Sequence, residues 1–140
     1  MAMATFLHRL RPPSLHEQRA ERAYRARAQE LVGRVRAVFD DWLAVREVEP
    51  DNNRLANAAA VNRWELMRLV QEAEALEPPR ALAALHRDVL NAVNGAARAC
   101  QLLASGYRSH KSIVVCDGQA LLLDTVNAID ELVGRLQMRF

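Results

Sequence analysis

A chain of 140 residues has the length of one domain. It is 51% hydrophobic and 26% charged with only five Gly and five Pro, so it can form a packed core and is not a disordered, collagen-like or loop-rich chain. Its 24 Ala and 19 Leu against 5% aromatics favour helix over strand, because Ala and Leu lose least on entering a helix. No uninterrupted apolar run approaches the roughly 18 residues of a membrane span, and residues 1–13 lack the apolar stretch of an export signal, so the expectation is a cytoplasmic protein with no membrane span.

The net charge of +2 is small but unevenly spread. Residues 1–36 hold eight Arg against Glu17, Glu21 and Glu30, a local +5, which leaves −3 for the remainder. Such asymmetry marks either a nucleic-acid or membrane-surface arm or an end that docks on the acidic part of a twin.

In chain order, residues 1–13 form an N-terminal arm, frayed or docking, in which Phe6, Leu7 and Leu10 make a small apolar cluster among His8, Arg9 and Arg11. Residues 14–140 form the folded unit. Ser14 with Glu17 three residues on makes a capping box, so the first helix spans about 15–48 and Pro50 stops it. Asp51 or Asn52 caps a second helix over about 53–76. Pro79 suits the first turn of a third, over about 79–107, with Gly106 near its end. The fourth covers about 113–138, although Ile113, Val114 and Val115 also suit an extended start.

Each segment carries apolar residues in steps of three and four. The first reads Tyr24, Ala28, Leu31, Val35, Val38, Trp42, Val45; the second Leu55, Ala59, Asn62, Leu66, Leu69, Ala73, Leu76. The third reads Leu82, Leu85, Val89, Val93, Ala96, Cys100, Leu103, Tyr107; the fourth Leu122, Val126, Ile129, Val133, Leu136, Phe140. Strands need a period of two, which none of these has. Four helices joined by short turns predict an all-α, antiparallel up-down-up-down four-helix bundle. At 1.5 Å per residue the first helix is roughly 50 Å long and the second about 36 Å, so the first overhangs. Continuing its apolar line backward meets Glu21 and Glu17, which places the overhang at about residues 14–24.

The chemistry-bearing residues point to no reaction, and no catalytic residue, metal or cofactor is assigned. A carboxylate-bridged metal centre in a bundle needs inward Glu residues and Glu-x-x-His pairs, and the chain has none of the latter. Cys100 and Cys116 are expected as reduced thiols, and with His110 they lack the spacing of a zinc site. Arg80 and His86 have the Arg-x(4–6)-His spacing found in helical nucleases, but Arg11 and His16 have it too, and Arg80 should point about 120° away from His86 on the wheel. His86, Asn62 and Gln119 are the polar intrusions on apolar faces, read as polar core contacts that fix register or as a ligand spot between helices.

Trp64 carries the strongest interaction signal. On the second helix it falls near 180° from the Leu55, Leu66, Leu69 face, with Val61 and Met67 about 60° to either side, so an exposed apolar patch is expected. Arg19 and Arg22 point outward from the first helix and Arg25 flanks its seam. Together these six residues are the predicted interface. The expected function is a non-catalytic bundle that associates with itself, most simply as a dimer, or with a protein partner. The alternative is a ligand- or nucleic-acid-binding module using the Arg-rich first helix; nucleic acid is disfavoured because only Tyr24 accompanies the basic residues.

Overall fold

A computed structural model describes Pro12 and residues 14–137; the expected arm at residues 1–13 and the terminal Phe140 therefore lie outside the described residues, Pro12 aside. Helices α1 (Leu15–Val48), α2 (Asn52–Ala75), α3 (Ala83–Arg108) and α4 (Ser112–Gln137) follow one another, with a single 3₁₀ turn at Arg80–Leu82 leading into α3. The described residues contain no strand. The protein is an all-α four-helix bundle, with α1 the longest helix at 34 residues.

Local chemistry sets the helix ends. The Ser14 hydroxyl accepts from the Glu17 N–H at 3.2 Å while Glu17 accepts from the Ser14 N–H at 3.3 Å, closing the predicted capping box. Asp51 caps α2 by accepting from the Asn53 N–H at 2.8 Å. Pro79 precedes the 3₁₀ turn instead of opening α3 directly, which delays that helix to Ala83. Residues 113–115 are helical, so the extended alternative there is not adopted.

The third helix ends at Arg108, with Gly106 near its end as expected, but the residue that closes it is His110. His110 takes the left-handed conformation (φ 54°), its N–H donates to the Tyr107 carbonyl at 3.4 Å, and the Lys111 N–H donates to the Gly106 carbonyl at 2.9 Å. These are the two bonds of a Schellman motif, with His in the place usually held by Gly. Gly106 serves packing: a Cβ there would lie 2.8 Å from the Val115 backbone nitrogen. Gly118 faces Leu103 in the same way, at 3.0 Å, so the two helices cross very closely at this end.

Cross-helix contacts fix the directions. Arg34 pairs with Glu72 of α2 at 2.8 Å, Arg36 with Asp130 of α4 at 3.1 Å, Arg135 with Asp88 of α3 at 2.8 Å, and Arg108 donates to Asn57 at 3.2 Å. Late Arg135 meets early Asp88 and late Arg108 meets early Asn57, while going back along α1 from Glu49 to Arg34 moves forward along α2 from Arg54 to Glu72, and going forward from Arg25 to Arg36 moves back along α4 from Arg135 to Asp130, so neighbours are antiparallel. Helix α3 is central, with α2 and α4 on either side and α1 packed over them. Its buried Ala92, Ala96, Ala97 and Ala99 let those neighbours approach.

The buried faces match the apolar period but are wider than a single line. Helix α1 also buries Val32 and Phe39, and α3 also buries His86 and Ala92. In α4 Leu122, Ile129 and Leu136 are buried as expected, but two positions shift by one: Thr125 and Leu132 are buried, while Val126 and Val133 are only half-buried. No residue before Tyr24 in α1 is buried, although Gln18, Ala20 and Glu21 are half-buried. Helix α4 is long and apolar enough to cross a membrane by length and composition, with a mean hydropathy of 1.3 over its most apolar 18 residues. Asp117 and Asp124 interrupt the run, and Leu122, Ile129, Leu132 and Leu136 bury its inner face in the bundle.

Candidate functional site

Helix α2 turns Leu55, Ala59, Leu66, Leu69 and Ala73 inward, which forces the residues half a turn away toward solvent. Trp64 is 75% exposed, Val61 67% and Met67 42%, so the predicted apolar patch exists as a surface feature. Between this patch and α3 runs a groove of about 720 Å³ whose walls include Trp64, Met67, Arg63, Gln101, Ala104 and Arg108. No carboxylate lines it, so its two guanidinium groups make it basic as well as aromatic. An indole so exposed forms one wall of an open trough and suits a partner surface better than an enclosed small molecule.

A second groove, of about 420 Å³, lies on the other side of α3, against α4. Asp88, Asp124 and Glu131 line it with Arg135, whose guanidinium is taken by Asp88. This groove is therefore acidic, and sequence periodicity did not foretell it, because its walls come from two different helices.

The remaining predicted residues scatter. His86 is buried with its Nδ1 hydrogen-bonded to the Tyr24 hydroxyl, the atoms being 2.9 Å apart and the rings meeting edge to face at 5.5 Å. Burial pushes the Tyr24 hydroxyl up to about 12, against a smaller opposing pull from the Arg25 charge, and burial also lowers the basicity of His86. A protonated phenol paired with a neutral imidazole is the state that both effects favour. Arg80, in the 3₁₀ turn, is exposed while His86 faces the core, so the two make no joint site.

Asn62 is half-buried on α2. Gln119 lies at the opposite end of the bundle from His86, 3.5 Å from the Tyr107 hydroxyl. With its amide turned so that the oxygen faces Arg46, it accepts from that guanidinium at 3.0 and 3.3 Å. The three polar intrusions thus form no common spot. Nearby, Trp42 is fully buried with its ring 6.0 Å from that of Tyr107, and its indole N–H has no partner among the described residues.

Arg25, expected at the interface, works inside the chain: its guanidinium donates to the Arg135 carbonyl at 2.8 Å and the Leu136 carbonyl at 3.4 Å, and Gln29 donates to Leu136 at 2.8 Å. Together they cap the last turn of α4, where carbonyls lack helical partners and favour a cation. Arg19 and Arg22 are exposed on α1 and stand apart from the Trp64 patch. Among the described residues no three His, Cys, Asp or Glu side chains converge as metal ligands. Cys100 is buried, its thiol pushed up to about 12 by desolvation, while Cys116 is exposed; both are free.

Compared with family models, curated proteins and solved structures, the chain matches none.

Proposed function

We propose that this protein is a non-catalytic bundle that works in the cytoplasm by associating with itself through the face bearing Trp64. The observation that carries the reading is the exposure of Trp64 together with Val61 and Met67 on one side of α2. Leaving a large indole and two apolar neighbours in water forfeits transfer free energy that association would recover, and interface cores are enriched in Trp and Met. Two unpaired thiols suit a reducing compartment. The Arg-rich helix supports the nucleic-acid alternative less well, because Arg25, Arg34 and Arg36 are engaged by α4 and α2.

Light scattering on the purified chain and on Trp64→Asp tests this. The wild type should exceed the 15.7 kDa of a single chain at micromolar concentration, and the variant should return to it. A wild type that scatters as one chain overturns the reading.

A further inference from the structure

The two grooves beside α3 complement one another. The basic groove takes Gln101, Ala104, Ser105 and Arg108 from the C-terminal part of α3 and its other wall from α2; the acidic groove takes Asp88, Asn91, Ala92 and Gly95 from the N-terminal part and its other wall from α4. Both border the exposed ridge of α3 formed by Asn91, Asn94, Arg98 and Ser105. On the helical wheel that ridge lies roughly 150° from Val93 and Cys100, which face the core. The grooves therefore lie on the two flanks of this ridge, diagonally about Arg98 and displaced by about 20 Å along α3 at 1.5 Å per residue.

We propose that this outer face of α2, α3 and α4 pairs with the same face of a second copy across a two-fold axis, the Arg63, Trp64 and Arg108 groove of each copy lying against the Asp124 and Glu131 groove of the other. The proposal rests on the self-association reading and names the surface that meets Trp64. A two-fold axis lying in the face and crossing α3 obliquely near Arg98 exchanges the two diagonal grooves, so both contacts form at once and the assembly closes at two chains. Opposite charge meets opposite charge in each contact, which sets orientation and excludes the parallel alignment in which like grooves would face each other. The face is large enough: three helices of 24 to 26 residues present about 39 Å by about 20 Å, on the order of the 800 Å² per partner of a standard interface. The same arrangement brings Arg98 near its own copy, a like-charged contact that Arg98→Ala relieves.

A charge-reversal cycle tests the pairing, with circular dichroism to verify that each variant is helical. Arg63→Glu with Arg108→Glu makes both grooves acidic; Asp124→Arg with Glu131→Arg makes both basic. Each double variant alone should have the mass of one chain, and an equal mixture should recover the two-chain mass. Arg98→Ala should tighten the wild-type dimer severalfold. A dimeric wild type whose two double variants also remain dimeric, or whose mixture stays monomeric, overturns this pairing while leaving self-association through Trp64 standing. A monomeric wild type overturns both.

Discussion

Tyr24 and His86 stand 62 positions apart in sequence and 2.9 Å apart in the bundle, and the burial of this imidazole makes stability depend on pH. Burial lowers the His86 basicity, so the folded state holds fewer protons on this ring than the unfolded chain does. Its contribution is complete above the unfolded value of about 6.5 and is lost as pH falls below that toward the folded value. Urea midpoints should therefore fall between pH 7.5 and pH 5.5, more steeply in the wild type than in His86→Leu; equal slopes would contradict the assignment. Tyr24→Phe leaves the buried Nδ1 unpaired and should cost about 1–3 kcal/mol in the same titration at neutral pH. The two thiols give a second check at this scale. A thiol reagent should modify Cys116 in the folded protein at once and Cys100 only on unfolding, because Cys100 is buried and its thiolate strongly disfavoured. Rapid labelling of both would mean that the α3 core opens readily.

At the scale of elements, the close crossing of α3 and α4 depends on Gly106 and Gly118. Gly106→Ala puts a methyl group 2.8 Å from backbone, which no rotamer change relieves, so it should destabilise by about 1–3 kcal/mol in spite of the better helix propensity of Ala. His110→Gly acts in the opposite sense: it removes a side chain from the left-handed region and should stabilise by up to about 1 kcal/mol, less the loss of the His110 contact to Asn52 at 3.2 Å. Thermal unfolding of both variants checks the opposite signs. The contrast also shows what sequence could tell. The Ser14 and Glu17 box was readable because it is local, and the helical period was readable because burial repeats. The place of Gly106 near the helix end was readable, but its packing role against Val115 was not, because a glycine near a helix end and a glycine under a crossing helix look alike in one dimension. In α4, Thr125 and Val126 fit the three-and-four spacing equally well, and the position of the neighbouring helix decides between them. The Arg25 and Gln29 cap on α4 joins residues more than 100 positions apart, which no spacing rule reaches.

For the whole molecule, the bundle buries its apolar faces around α3 and leaves two grooves of opposite charge on the two flanks of the exposed α3 ridge. The exposed Trp64 was foreseeable from the wheel of a single helix. The acidic groove on the other flank of α3 was not, since it exists only once α3 and α4 are side by side. Surface ion pairs such as Arg34 with Glu72 and Arg36 with Asp130 orient the helices but contribute little individually, so moderate salt should leave the fold intact while weakening charge-guided association. Sedimentation equilibrium of the wild-type chain over a range of concentrations is the most direct measurement of the central claim. A reversible equilibrium between one and two chains, shifting toward 15.7 kDa on dilution and in high salt, is the predicted result; a single species of 15.7 kDa at every concentration contradicts it.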